Sequence, residues 1–130
     1  MEHRDRFERA AVAADEDDQP FLALLNANVA WCALKAGDPA NAPLAETLAR
    51  EAFAAVPEAA EMKGTLGAVF TNRGAIDEGI ELLRDAARHI ADPLDKADFC
   101  IFLARGEHAR GNSARANTFA ELRRHILVGA

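Results

Sequence analysis

The sequence predicts an all-α chain built as a series of helical hairpins, and three observations predict it. Gly37, Gly74 and Gly111 stand 37 residues apart, and a pair of one aliphatic and one very small residue precedes each by seven or eight positions: Val29-Ala30, Leu66-Gly67 and Leu103-Ala104. Self-similarity at a period of about 20 to 50 residues marks stacked units that are each too small to cover their own apolar face. The composition is 50% apolar with 6% aromatics and no tyrosine, and it leans on alanine, which suits close helix contact better than a sheet. Apolar residues also recur at three- and four-residue steps, as in Leu66, Val69, Phe70 and then Ile76, Ile80, Leu83, where strands would alternate.

Punctuation places the elements in order. An amphipathic helix is expected from about Glu2 to Ala14, followed by the acidic stretch Asp15-Glu16-Asp17-Asp18. The first hairpin runs from about Phe21 to Ala36, turns through Asp38-Pro39-Ala40-Asn41, and continues from Ala42 to Ala55, with Pro43 tolerable in an opening turn and Pro57 at the end. The second occupies Ala59 to Arg73 and Ala75 to His89, with Asp92-Pro93 as its exit. The third spans Leu94 to Arg110 and Ser113 to Leu127, its last helix capped by Asn112 or Ser113. Glycine accepts the left-handed backbone that closes a helix, so the three recurring glycines read as stops of the first helix of each hairpin. Small residues at Ala30, Gly67 and Ala104 fall inside helices. A glycine there costs about 1 kcal/mol against alanine, so a close-approaching partner helix is expected to offset it.

This layout makes residues 1–130 a single helical-repeat domain. It has an N-terminal helix and acidic loop over 1–20, repeats over 21–58 and 59–93, and a third repeat with a C-terminal cap over 94–130. A chain of this length buries roughly two-thirds of its unfolded surface and needs no metal or disulfide to hold a core. Cys32 and Cys100 lack any metal-ligand or redox spacing and are expected to be small core residues. No apolar run approaches the roughly 20 residues of a membrane span, so a cytoplasmic location without membrane insertion is expected. The net charge of −6 argues against nucleic acid, which demands a concentrated basic face.

Catalytic signatures are missing from the pattern. His3, His89, His108 and His125 are scattered, and no helix-borne pair has zinc-ligand spacing. Asp85 and His89 share a helix face, an ordinary structural arrangement near a C-terminus. No phosphate-binding glycine loop, GxSxG elbow or HExxH occurs. A protein without catalytic residues, cofactor or metal is expected.

The recurring large-small pair, the glycine before the turn, the small residues of the second helix and the closing proline resemble the tetratricopeptide repeat family. The second unit carries the likeness most fully, at Leu66, Gly67, Phe70, Gly74, Gly79, Leu83 and Ala86. The third carries it at Leu103, Ala104, Gly111 and Ala116, and the first at Val29, Ala30, Gly37, Ala45, Ala52 and Pro57, with about three extra residues in its turn. The 37-residue repeat is longer than the family's usual length of about 34. What the resemblance implies is a right-handed superhelix of stacked antiparallel helix pairs, about seven helices with the N-terminal one. It also implies a concave groove, lined by the first helix of each pair, that binds a protein or peptide segment.

Carried over position by position, the implied groove comprises Leu24, Ala27, Trp31, Leu34 and Lys35 from the first unit, Ala68 and Asn72 from the second, and Ile101, Arg105 and His108 from the third. The clamp that one family subtype uses for a terminal carboxylate has no counterpart, since Ala27, Trp31, Thr65, Asp98 and Phe102 stand at those places. Trp31 is either a rigid apolar anchor in the groove or a residue packed under the N-terminal helix. Phe99 and Phe102 are expected between units as core residues. The leading functional expectation is a non-catalytic adaptor. A homo-oligomer closed through the same surface or a terminal helix, and a detached regulatory part of a longer protein, are the alternatives.

Overall fold

The computed structural model describes residues 18–129, and six α-helices make up most of that length. They are α1 Gln19–Ala36, α2 Ala42–Ala55, α3 Ala60–Asn72, α4 Ile76–His89, α5 Pro93–Ala109 and α6 Ser113–Gly129, with a 3-10 turn Pro39–Asn41 between the first two. No strand occurs among the described residues. The helix expected over Glu2 to Ala14, which would make a seventh, lies outside the described residues.

The helices begin and end where local chemistry dictates. Pro20, Pro43 and Pro93 sit in the first turns of α1, α2 and α5, where a missing N–H costs nothing. The Asp92 carboxylate accepts from the Leu94 N–H at 2.8 Å to start α5, and the Asn112 side chain accepts from the Arg115 N–H at 3.3 Å to start α6. Gly74 and Gly111 have φ of 99° and 83°, and the residue after each donates to the carbonyl five positions back: Ala75 to Phe70 at 2.9 Å, Asn112 to Glu107 at 2.8 Å. These are equivalent bonds one repeat apart, and they close α3 and α5 in the same way. Gly37, with φ of 74°, closes α1 by donating to Leu34, but the Asp38 side chain then accepts from the Ala40 N–H and opens the 3-10 turn. That turn is the extra length expected in the first hairpin.

Packing follows chain order. The main contacts pair α1 with α2, α3 with α4 and α5 with α6, while α2 also meets α3 and α4 meets α5. The first helices of the hairpins touch in series, α1 to α3 and α3 to α5. Helix α3 is central, and every residue from Gly64 to Thr71 is buried. A Cβ at Gly67 would stand 2.9 Å from the Gly79 carbonyl oxygen and the Leu83 nitrogen, so the mid-helix glycine is what lets α4 come so close. The Thr65 and Thr71 hydroxyls, buried on the same helix, donate to the Glu61 and Gly67 carbonyls and so remain satisfied.

One apolar cluster joins α1, α2 and α3 through Ala30, Leu48, Leu66 and Phe70; a second joins α3, α4 and α5 through Ala68, Leu83, Phe99 and Phe102. Phe99 and Phe102 are buried, as expected of core residues. Cys100 is buried too, but Cys32 is exposed, which corrects its expected place in the core. The buried line of α1 is Ala23, Ala27 and Ala30. Two residues past Ala30 is about 200° around the helix, which turns Cys32 away from that line. None of the described helices is long and apolar enough to cross a membrane.

Candidate functional site

The first helices α1, α3 and α5 meet around Trp31. Its ring stands edge-on to Phe99, with centroids 5.9 Å apart at 85°, and to Phe102, at 5.4 Å and 60°. A residue of the first hairpin therefore packs on the third, and the small residues of α3 allow it. Ala68 belongs to the cluster on which Trp31 rests, and the space a Cβ would need at Gly64 is filled by the Phe99 ring. Edge-to-face pairs of this kind stabilise by about 0.5–1.5 kcal/mol each beyond their buried area. Charges ring the aromatic cluster. Lys35 pairs with Asp98 at 3.5 Å and lies 6.0 Å from the Trp31 centroid, and the Arg105 guanidinium stands 5.0 Å over the Phe102 ring.

The ten expected groove residues divide by burial. Ala27 and Ala68 are buried against neighbouring helices and present no surface to a partner, because the alanines are what allow the helices to approach. Trp31, Leu34 and Ile101 are half-buried, with Trp31 and Leu34 packed on the second apolar cluster. Leu24, Lys35, Asn72, Arg105 and His108 are exposed. Trp31, Lys35, Ala68 and Arg105 are thus drawn together around Phe99 and Phe102, while Leu24 stands further back along α1. Neither Phe99 nor Phe102 was expected to meet Trp31. The spacing of small residues at Gly64 and Ala68, one turn apart on the central helix, was the available signal.

At the start of α5, burial together with Asp92, Asp98 and Glu61 pushes the Asp95 carboxyl above the usual carboxylate range, against an opposing pull from Lys35. Among the described residues no group of three or more His, Cys, Asp or Glu side chains is arranged to hold a metal ion.

A second feature, not foreseen from the sequence, is a pocket of about 470 Å³ where the C-terminal ends of α1 and α3 meet α2. Leu34, Ala42, Pro43 and Val69 give it an apolar floor, while Glu46, Arg50, Asn72 and Arg73 supply polar groups. Glu46 is held from two sides: Arg73 Nε forms an ion pair with Oε1 at 2.7 Å, and Arg50 donates from Nε to Oε2 at 3.0 Å with its Nη2 2.9 Å from the same oxygen. Both guanidiniums also lie over the buried Phe70 ring, at 4.9 Å for Arg50 and 5.0 Å for Arg73. Compared with protein-family models, with curated proteins and with solved structures, the chain matches none of them.

Proposed function

We propose that the chain is a non-catalytic protein-binding module of the tetratricopeptide kind, whose three hairpins continue one another as a right-handed superhelix. A partner segment lies along the face of α1, α3 and α5. The observation that supports this most is the repeated closure of α3 and α5 by bonds one repeat apart, with α1, α3 and α5 touching in series. The same helix closure recurring one repeat apart is what a stacked array of like units predicts. The exposed edge of Trp31 with Leu34 and Leu24 offers the partner an apolar row. Across from it, Ile101, Arg105 and His108 recur at helical spacing on α5 and set the register of polar groups.

Affinity capture tests this reading. Wild-type protein and an Arg105→Glu, His108→Ala variant are used as bait under identical conditions, and the two side chains are exposed, so the fold is retained. A partner lost from the variant supports the groove. The same partners recovered equally on both baits would sink it.

A homo-oligomer is the second reading, favoured by one observation. Leu94 at the start of α5 is 56% exposed, and on α6 Leu122, Leu127 and Val128 are 38%, 42% and 84% exposed. Apolar groups gathered at the end of an array are what a second copy would cover. Sedimentation over a wide dilution range separates the two, since a dimer held by that end dissociates on dilution and a monomeric adaptor does not change.

A further inference from the structure

The pocket between α1, α2 and α3 combines three properties that together select a ligand chemistry. Its charge is unbalanced, because Arg50 and Arg73 share the single Glu46 carboxylate and no other acid pairs with either among the described residues. The guanidiniums are already placed, since each stacks on Phe70 and is tethered to Glu46, so ordering them on ligand binding costs less than ordering free arginine side chains. The floor beneath them is hydrocarbon, from Leu34, Pro43 and Val69, and the volume of about 470 Å³ lies in the ordinary range for small-molecule pockets.

We propose that this pocket binds a small organic carboxylate with an apolar body, its carboxylate bridging Arg50 and Arg73 and its hydrocarbon lying on Leu34, Pro43 and Val69. Guanidinium recognises carboxylate through paired N–H donors in a fixed fork, which suits an acid over a neutral polar group. A phosphate ester would carry more charge than the one uncompensated cation balances and would be repelled by Glu46 more strongly than a carboxylate is. A purely apolar ligand would leave the charge beyond what Glu46 balances uncompensated beside it. The site needs only the local meeting of α1, α2 and α3 and does not rest on the partner-binding reading.

Titration calorimetry with three probes tests it: hexanoate, its neutral analogue hexanamide, and acetate, which has the charge without the body. Hexanoate is expected to bind saturably, with hexanamide and acetate each weaker by about tenfold or more. Arg73→Gln is expected to weaken hexanoate about tenfold and leave hexanamide unchanged. Arg73 also stacks on Phe70, so a second variant guards against a folding defect. Thr47→Phe adds a ring from an exposed position on the pocket wall, keeps both arginines in the chain, and should abolish hexanoate binding at an unchanged melting temperature. Equal affinity for hexanoate and hexanamide, no saturable heat with hexanoate, or full hexanoate binding by the Thr47→Phe protein would overturn the proposal.

Discussion

Glu107 occupies in the third hairpin the position that Phe70 occupies in the second, one repeat earlier, and an arginine three residues further on covers each of them. Arg73 stands 5.0 Å over the Phe70 ring, and Arg110 places Nη2 at 2.5 Å from Glu107 Oε1. The carboxylate is 0% exposed, with Arg115 of α6 3.8 Å from its other oxygen, and neither oxygen has a well-aligned hydrogen bond among the described residues. An ion pair has replaced an aromatic-cation contact at the same point of the fold.

A buried ion pair without good hydrogen bonds adds little over an apolar residue of similar size, yet breaking it leaves an uncompensated charge. Arg110→Ala is therefore expected to destabilise the chain by about 3 kcal/mol, while Glu107→Met removes the buried charge and leaves Arg110 partly exposed with Asp77 3.1 Å from its Nη1, and is neutral or stabilising. Chemical denaturation of the two variants and of the double variant checks this. The coupling appears as a double variant far more stable than the sum of single effects predicts.

Phe99 fills the space a side chain at Gly64 would need, and Phe99 in turn supports Trp31. Gly64→Ala gains about 1 kcal/mol of helix propensity but forces the buried ring aside, an overpacking cost of about 1–3 kcal/mol, so a net loss of stability is expected. Phe99→Leu, added to Gly64→Ala, should recover part of the loss. The fluorescence of Trp31, the chain's single tryptophan, shifts with Gly64→Ala if the ring moves as argued, and an unshifted spectrum with unchanged stability would contradict the contact.

How far this fold could be read from the sequence depended on whether the signal was local. Gly74 and Gly111 announced their helix ends because left-handed backbone is a property of one residue and its neighbours. Ala42 to Ala55 and the start at Ser113 followed from proline and capping chemistry for the same reason. The meeting of Trp31 with Phe99 and Phe102 joins residues about seventy positions apart and depends on how the central helix sets its neighbours, which periodicity does not encode. Cys32 was misplaced because composition says how often cysteine is buried and not on which side of α1 it falls. Glu107 was not read from the sequence, although its signal was there. The 37-residue register puts it on the core position of Phe70, and a carboxylate there demanded a cation nearby.

The two cysteines are expected to react in separate steps. Cys32 is exposed and Cys100 is buried, with burial pushing the Cys100 thiol above its ordinary value and Lys96 and Arg123 only partly opposing it. Since the thiolate is the reactive species, a disulfide reagent at neutral pH should titrate one thiol per chain promptly and the second only as the protein unfolds. Cys32→Ser removes the fast step alone. Two equally fast thiols in the native protein would place Cys100 outside the core.

Asp95 and Asp85 should give stability changes of opposite sign with pH. Asp95 has its carboxyl raised by burial and by Asp92, Asp98 and Glu61, so in the folded chain it prefers to be protonated. Its contribution is fully present below the ordinary carboxylate pKa and is lost as the pH rises through the folded value. The first turn of α5 favours an anion, but the upward direction means that desolvation and like charges outweigh the helix end. Asp95→Asn is thus expected to raise the denaturation midpoint at neutral pH and to make no difference near about pH 3. Asp85 is held below the usual range, first by its hydrogen bond from Lys63, with Nζ 2.7 Å from Oδ2. Its contribution is present above the ordinary carboxylate pKa and is lost as the pH falls through the lowered one. Asp85→Asn should therefore lower the midpoint at neutral pH, by the small amount an exposed pair supports, and the deficit should close on acidification. Urea midpoints for both variants against the wild type across acid to neutral pH test the pair, and differences of the same sign for both would show that the charges around Asp95 and Asp85 are arranged otherwise.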